Sequence, residues 1–449
     1  MTKVTTSAAA HAKGTASPLL HVWRENHMDT PWDDRALIDS FTAEFNDLVA
    51  FATASACPSG FGYLNGDGTV DLDRPVELWI TSRMTHVFSL ATMLGIEQAH
   101  DYATHGVRAL SLAMRDHEYG GWFSAVSHDV NDAGHAEYVG DGRKEAYAHA
   151  FVLLAASSAT QAGIPGGLDL LALAANDQDQ HWWQPQYGRG RESWDRSFTT
   201  SEAYRGLNSN MHTVEAYLAA FYATGERLWL DRARAILRWA ADLAVQWDGR
   251  LPEHFTQTWE VQPSFNSDKP SDPFRPYGAT PGHGFEWARL MLHLRGALRD
   301  LDDEIPNWTL DVPALLFERA AADGWDEVHG GFVYTTDFSG TPVVPTRMHW
   351  VACEAVAAAV TLGREYMREG QSENVDVVSD HFATWVAWMD QYLREAPGRW
   401  IHEVDEGGQA SSTTWAGKPD AYHVAQMLLM PLLPSAASFA EAVRRYVQS

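Results

Sequence analysis

The chain has 449 residues, with 59 acidic and 33 basic side chains and a net charge of −26 at neutral pH. A protein this acidic repels phosphate backbones, which argues against nucleic-acid binding. It contains no run of about 18 apolar residues, so we expect neither a transmembrane helix nor a membrane partner.

The first segment, residues 1–20, is rich in Ala, Ser and Thr without a long apolar stretch, so we expect a flexible tail rather than a signal peptide. Residues 21–449 show no linker-like segment and are expected to form a single domain. Cys57 and Cys353 have neither metal-type spacing nor a disulfide framework. The simplest interpretation is a cytoplasmic protein.

Apolar residues recur with a helical period along most of the chain. We predict helices at residues 35–55, 76–95, 98–115, 143–162, 201–223, 229–246, 284–300, 311–322, 349–368, 375–395 and 419–432. Strand signals are short and lie in loops, which argues against a sheet of long strands alternating with helices.

Segments of glycine and aromatic residues separate these helices at intervals of about two helices. They occur near residues 60, 119, 184, 247, 329 and 397. This repeat indicates six helical hairpins, none of which can bury its apolar face alone. We therefore predict an all-α (α/α)6 barrel of six helical hairpins with short β segments in the loops. An open helical solenoid is the alternative, disfavoured because the ends lack polar capping repeats.

Two segments each place a pair of side chains on one helix face: an aromatic residue with an arginine in the first, and two polar residues in the second. In "ELWITSRMTHVF", Trp79 and Arg83 lie one turn apart. The arginine either binds an anion or polar ligand or forms a structural ion pair. In "GLNSNMHTVEAY", Asn208 and His212 have the same spacing. They form either a wall of a polyol-binding pocket or a solvent-exposed face.

Two further segments place histidines near aromatic residues at the start of helices. In "ATPGHGFEWARL", His283 and Glu286 share a first turn. The zinc motif HxxEH is absent, so we predict no metal and interpret His283 as an acid/base group oriented by Glu286. A structural histidine is the alternative. In "TWAGKPDAYHVAQMLLM", Trp415 precedes a helix that contains His423.

Other aromatic residues complete this set. "KEAYAHAF" contains Tyr147, and "MHWVACEA" contains Trp350 and Glu354. Two histidines and one arginine suit proton removal next to a carbonyl, because the arginine can stabilise an enediolate oxygen. Aromatic rings can contact the apolar face of a sugar. No phosphate loop, dinucleotide fingerprint or GxSxG elbow is present, so we predict no cofactor.

The segments "WITSRM", "NSNMHTVEA", "PGHGFEWARL" and "WAGKPDAYH" resemble the N-acylglucosamine 2-epimerase superfamily. The resemblance is strongest to its aldose–ketose isomerase branch, which includes mannose and sulfoquinovose isomerases, and extends from about residue 20 to 445. It implies an (α/α)6-barrel catalytic domain that needs no metal.

The resemblance also implies roles for individual residues. His283 and His423 match the acid/base pair, Glu286 the carboxylate that supports His283, and Arg83 the group that holds the reacting oxygens. His212 belongs to the same catalytic set, as a polar contact to the sugar. The sugar-binding residues implied are Trp79, Tyr147, Asn208, Trp350 and Trp415.

The implied reaction converts D-mannose to D-fructose through a cis-enediolate, with lyxose as a further substrate. The alternatives are a sulfoquinovose isomerase, a sugar 2-epimerase of hexose or cellobiose type, an (α/α)6 glycoside hydrolase and a non-catalytic binder. The polar segment 181–198 is expected to cover the pocket. Its Arg189, Arg191 and Arg196 are either a sulfonate subsite or solvated charges. The expected partner is a small-molecule sugar, and the sequence also allows a homo-oligomer.

Overall fold

The computed structural model describes residues 30–449, and the predicted N-terminal tail at 1–20 lies outside the described residues. The α-helices of this part are α1 (Arg35–Ala52), α2 (Leu78–Met93), α3 (Ala99–Arg108), α4 (Ala146–Gln161), α5 (Gly167–Asp177), α6 (Leu207–Thr224), α7 (Arg227–Gln246), α8 (Pro281–Asp300), α9 (Trp308–Gly324), α10 (His349–Arg368), α11 (Ser372–Tyr392), α12 (Tyr422–Leu429) and α13 (Phe439–Gln448). None of the described helices is long and apolar enough to cross a bilayer.

Twelve of these helices form two concentric rings. The even-numbered helices α2 to α12 make the inner ring, in which each helix contacts the next and α12 contacts both α10 and α2. The odd-numbered helices α1 to α11 pack around it. The predicted (α/α)6 barrel is therefore confirmed.

Burial follows this arrangement. The inner helix α4 is buried on all sides over nearly its whole length. The outer helix α7 buries Leu230, Ala233 and Leu237, while Asp231 and Arg238 are exposed. A helix that is apolar on every side belongs inside a protein, whereas a helix with one apolar stripe packs against the core.

Every predicted helix is present, with ends that differ by a few residues for most of them. The largest differences are at α3, which ends at Arg108 and is followed by a π-helical segment over Ala109–Ala113, and at α6, where 201–206 form a loop and a strand. Two helices, α5 and α13, were not predicted. Helix α13 contacts α2, α4 and α6, and Phe439 on it packs against His293 in the later turns of α8. Helix α13 therefore covers the end of the barrel at which the inner helices finish.

The strands are short and lie in the loops, as predicted. They are β1 (Ala56–Cys57), β2 (Gly60–Phe61), β3 (Val76–Glu77), β4 (Ala125–Val130), β5 (Ala136–Tyr138), β6 (Lys144–Glu145), β7 (Trp183–Gln184), β8 (Arg189–Gly190), β9 (Ser193–Trp194), β10 (Tyr204–Gly206), β11 (His254–Thr256), β12 (Thr335–Thr336), β13 (Pro342–Val344), β14 (Arg347–Met348), β15 (Arg394–Ala396), β16 (Arg399–Trp400) and β17 (Glu403–Val404).

A repeated strand contact fixes the start of each inner helix. The residues that precede α2, α4, α6 and α10 pair antiparallel with the loop of the next hairpin, as β3–β4, β6–β9, β10–β11 and β14–β17. Isolated bridges do the same before α8, between Ala279 and Thr336, and before α12, between Lys418 and Leu64. The last bridge joins the last loop to the first, so the six junctions form a continuous ring around one cavity.

Candidate active site

A cavity lies where the inner helices begin, with about 680 Å³ of empty space including the solvent at its mouth. All ten residues predicted from the sequence line it: Trp79, Arg83, Tyr147, Asn208, His212, His283, Glu286, Trp350, Trp415 and His423. Except for Trp415, each comes from the first two turns of an inner helix. The positive ends of the helix dipoles therefore lie at the cavity, where they favour a negative charge that develops during a reaction.

His283 is oriented by a carboxylate that the sequence analysis did not assign to it. Its Nδ1–H donates to Glu253 Oε1 over 2.8 Å, and both side chains are buried. The prediction that Glu286 supports His283 is therefore wrong. The side chain of Glu286 faces His212, with 3.6 Å between Oε1 and Nδ1. Because Nδ1 of His283 carries the proton in this bond, Nε2 is left with its lone pair.

His423 has an equivalent partner. Its Nδ1–H donates to Glu354 Oε1 over 3.0 Å, while Glu354 Oε2 accepts from Arg289 Nε over 2.9 Å. Burial and the positive charge of Arg83 hold the pKa of His423 well below its usual range. The imidazole is therefore neutral near pH 7, and its Nε2 can accept a proton.

Trp350 packs against both histidines, which therefore lie in the same part of the cavity. Its ring centroid lies 5.2 Å from that of His283 and 5.8 Å from that of His423. The approach depends on Gly282, because a Cβ at this position would lie 2.3 Å from the Trp350 ring. The glycine of the PGH segment thus lets the indole reach the turn that carries His283.

Arg83 supplies the positive charge of the cavity. Its Nη1 donates to Asp420 Oδ2 over 3.1 Å and its Nη2 to the Tyr147 hydroxyl over 2.9 Å. The guanidinium also lies over the rings of Phe151 and Tyr422. Burial opposes the charge, but Tyr147 and Asp420 keep the pKa of Arg83 above its ordinary value. The Nε atom has no hydrogen-bond partner in the described part of the chain.

His212 belongs to a buried network on the cavity wall. Its Nδ1 lies 3.4 Å from Glu215 Oε2, and burial lowers its pKa to about 4. Glu215 accepts further hydrogen bonds from the Tyr422 hydroxyl and, over 2.8 Å, from Gln426 Nε2. Glu215 is thus fully occupied inside the protein, and it fixes the ring of His212.

Glu286 differs from the other buried carboxyl groups. Neither of its oxygens has a hydrogen-bond partner among residues 30–449. Burial and the neighbouring charge of Glu354 raise its pKa well above the ordinary value. The charge of Arg289, whose Nη2 lies 3.6 Å from Glu286 Oε1, opposes this shift without cancelling it. A carboxyl with a raised pKa keeps its proton to higher pH, and in that form it can donate a hydrogen bond to a ligand.

His212 and two nearby glutamates include the residue types that bind metal ions. Ligand-type atoms of His212, Glu215 and Glu286 lie within 4.8 Å of one another. However, Glu215 already accepts hydrogen bonds from other side chains, and a protonated Glu286 is a poor cation ligand. These donors favour a hydrogen-bond network over a metal centre, and metal-independent chemistry stays a prediction.

Aromatic rings surround the mouth of the cavity. Trp415 packs edge-on against Trp79 and Phe274, with centroid distances of 6.1 and 5.2 Å, and Phe274 also packs against Tyr147. On the wall, the Asn208 Oδ1 atom is buried and has no partner in the described structure. Apolar ring faces combined with unpaired polar atoms suit a sugar, which has an apolar face and a periphery of hydroxyl groups.

Eight cavity residues were not singled out from the sequence. These are Pro273, Phe274, Pro276, Tyr334, His349, His402, Pro419 and Asp420. A signal existed for two of them, because Asp420 lies within the segment of Trp415 and His423, and His349 directly precedes Trp350. Phe274 lies in an irregular loop, where no periodicity marks it.

The prediction that segment 181–198 covers the pocket is wrong, because none of its residues lines the described cavity. Arg189 lies over the rings of Trp239 and Trp259, and Arg196 pairs with Asp116 at 3.0 Å. These arginines serve packing and ion pairs rather than a sulfonate subsite. The cover comes instead from the loop that contains Pro273 and Phe274.

Comparison with known proteins agrees with this architecture. The N-acylglucosamine 2-epimerase (GlcNAc 2-epimerase) family matches residues 60–427. The chain belongs to this family. It is 46% identical to a D-mannose isomerase of Thermobifida fusca over 420 residues, which are 92% of this chain and 99% of that protein.

Two further relatives carry the same description. A D-mannose isomerase of Pseudomonas cannabina pv. alisalensis is 41% identical over 399 residues, covering 88% of this chain and 92% of that protein. A crystal structure of a D-mannose isomerase superposes with a TM-score of 0.77 at 26% identity, covering 89% of this chain and 98% of the other.

Proposed function

We propose that this protein is an aldose–ketose isomerase that interconverts D-mannose and D-fructose, with lyxose as a further substrate. One observation carries the proposal. His283 and His423 are each oriented by a carboxylate through Nδ1, and both line the cavity that contains Arg83. The similarity to D-mannose isomerases over most of the chain supports the choice of sugar.

In the proposed reaction, the sugar enters past the aromatic rings and binds as a closed ring. His283 opens it by moving a proton between the ring oxygen and the oxygen on C1. His423 then removes the C2 proton from the open aldose, and the electron pair forms the double bond of a cis-enediolate. Return of the proton to C1, together with transfer of the hydroxyl proton from O2 to O1, gives the ketose. Acid–base catalysis of this kind contributes roughly 10²–10⁴ in rate.

Two groups stabilise the enediolate in this proposal. Arg83 remains charged despite its burial and has an unpaired Nε–H. Glu286, held protonated, donates its O–H to a sugar oxygen. Donors that are already oriented in a site shielded from water are more effective than the same donors in solution.

The cavity is poorly suited to glycoside hydrolysis, which uses two carboxyl groups on opposite sides of the bond that breaks. Among the described residues that line it, only Asp420 and Glu286 carry carboxyl groups. Asp420 is paired with Arg83. A 2-epimerase would use the same enediolate but return the proton to the opposite face of C2, so the product decides between these two reactions.

The test is incubation of the purified protein with mannose in deuterated water, with NMR identification of the product. Fructose is expected, and it should form equally well after dialysis against a chelator. The His283→Ala and His423→Ala variants should each abolish it. Glucose labelled at C2 would identify a 2-epimerase instead. Failure to form a ketose from mannose or lyxose would contradict the proposal.

A further inference from the structure

A second pair of histidines lies on the cavity wall, outside the proposed reaction. His349 is the first residue of α10, and His402 lies in the loop between β16 and β17. Their rings are stacked with 3.8 Å between centroids, and both side chains are buried and line the cavity. The ring of His349 also packs edge-on against His423, with centroids 6.3 Å apart. The pair is therefore adjacent to the group proposed to remove the C2 proton.

The protonation pattern of His349 is fixed by its contact with the loop. Its Nδ1 lies 3.2 Å from the backbone carbonyl oxygen of His402, which also accepts the backbone N–H of His349 over 3.0 Å. A carbonyl oxygen only accepts hydrogen bonds, so the proton is on Nδ1, and Nε2 of the neutral ring is an acceptor. This Nε2 atom is buried and has no partner in the part of the chain described.

Both rings remain neutral near pH 7. Burial lowers the pKa of His349 to about 4, and it holds that of His402 well below the usual range. The contact between the rings acts in the same direction, because a proton on one imidazole would repel a proton on the other. The neighbouring ring of His423 lowers the pKa of His402 further, whereas Asp420 and the hydrogen bond to the His402 carbonyl offset part of the effect of burial on His349.

The other charged groups that face the pair are compensated. Arg83 is paired with Asp420 at 3.1 Å, and Lys418 Nζ lies 3.3 Å from Glu395 Oε2. Among the described residues, this wall of the cavity thus has an unpaired neutral acceptor, and each cation that faces it is already paired with a carboxylate. A buried acceptor without a partner favours a ligand that brings a hydrogen-bond donor, and it disfavours an anionic group.

We propose that His349 and His402 form a recognition subsite for a hydroxyl group of the sugar that takes no part in the reaction. His349 Nε2 accepts the hydrogen bond of this hydroxyl, and His402 holds the His349 ring in place. The subsite restricts the cavity to uncharged sugars. The inference rests on the proposed function, since it places the same sugar in the same cavity.

Two substitutions at one position test the hydrogen bond. In His349→Asn, the amide N–H can take the place of Nδ1–H toward the His402 carbonyl, but the acceptor at Nε2 is lost. In His349→Gln, the longer amide can place its oxygen at the Nε2 position. We expect KM for mannose to rise about tenfold in the Asn variant and less in the Gln variant, with kcat within about threefold of wild type in both.

If His349 had a purely structural role, the effects of the two variants on KM would be in the opposite order. The Asn variant would then resemble wild type and the Gln variant would be impaired, and this result would overturn the proposal. His381→Asn is the matched control, because His381 stacks on Trp385 of the outer helix α11 and does not line the cavity. Its KM should not change, and circular dichroism and thermal unfolding verify the fold of every variant.

Modified sugars then identify the hydroxyl that is bound. With the 3-, 4- and 6-deoxy derivatives of mannose, the wild type should lose about tenfold in kcat/KM for one derivative that His349→Asn no longer distinguishes from mannose. If no derivative shows this coupling, the proposal fails. Sulfoquinovose should be a poor substrate, and turnover comparable with that of mannose would refute the selection for uncharged sugars.

Calorimetric binding of D-mannitol separates this inference from the proposed function, because a polyol cannot isomerise. Mannitol should bind wild type about ten times more tightly than His349→Asn. Equal binding overturns the recognition subsite even if the wild type forms fructose from mannose. Conversely, weaker binding to the variant supports the subsite even if no ketose forms, which would contradict only the proposed function.

Discussion

The carboxylate next to His283 offers the sharpest test of the site. Glu253→Gln keeps the size of the side chain but replaces an acceptor oxygen with an amide that can also donate. At 2.8 Å from Nδ1, an amide N–H would stabilise the tautomer that carries its proton on Nε2. The lone pair would then be on the wrong nitrogen for a base acting in the cavity.

The size of the effect follows from this geometry. The side chains of His283 and Glu253 are only 8% and 3% exposed, so water cannot restore the lost interaction. A base in the wrong tautomer loses most of its contribution, which is roughly 10²–10⁴ in rate for general acid–base catalysis. We therefore expect kcat of Glu253→Gln to fall by about 10²–10⁴, or roughly 3–5 kcal/mol in the activation free energy. The assay is the initial rate of fructose formation from mannose at saturating sugar.

Glu286→Gln is the matched control, because it tests the partner predicted from the sequence. A protonated carboxyl and an amide have similar shapes, and both can donate a hydrogen bond. Since burial raises the pKa of Glu286 and so favours its protonated form, we expect kcat within about tenfold of wild type. The reasoning is refuted if Glu253→Gln retains kcat within about threefold of wild type, or if Glu286→Gln proves the more damaging change.

Three other predictions concern charge and protonation. Arg83→Lys should lower kcat/KM for mannose by about 100-fold, because an ammonium group cannot bridge two partners as the guanidinium does. The control is Arg191→Lys, at a position that does not line the cavity, which should leave the rate of fructose formation unchanged. The acid limb of the pH–rate profile should lie below the ordinary imidazole pKa of about 6.5. Burial lowers the pKa of His423 and His212, so the base is protonated and inactivated only at a lower pH than a free imidazole would be. An acid limb at pH 7 or above would contradict this prediction. Dialysis against a chelator should leave the rate of fructose formation within about 20% of that of the untreated enzyme, since Glu215 is already occupied by hydrogen bonds. A loss of activity that a divalent cation restores would refute metal independence.

The barrel could be predicted because its helices follow simple rules of periodicity. The inner and outer helices both have apolar residues at helical spacing, and glycine-rich turns separate the hairpins. Helix α5 was missed because it begins at the last glycine of the sequence GIPGG, in which glycines and a proline conceal the boundary. Helix α13 is only 10 residues long and is stabilised by packing against other helices, which a local pattern does not reveal.

The sequence predicts which residues line the site, but not which carboxylate is hydrogen-bonded to which histidine. Side chains in the first turns of the inner helices converge by the symmetry of the barrel, so Arg83, His283 and His423 are recognisable one segment at a time. A partner such as Glu253 lies 30 residues away in a loop, and spacing within one helix led to Glu286 instead. Contacts between hairpins depend on tertiary packing, which periodicity does not encode.

The bridge between Leu64 and Lys418 has a consequence for how the enzyme matures. Arg83 and Asp420 are separated by 337 positions in the chain, so their ion pair forms only after the last hairpin has been synthesised and docked. Contacts between residues this distant in sequence carry a loop-closure cost and are associated with slow folding. A nascent chain of five hairpins lacks both Asp420 and His423, so the cavity is complete only when the last hairpin closes the ring.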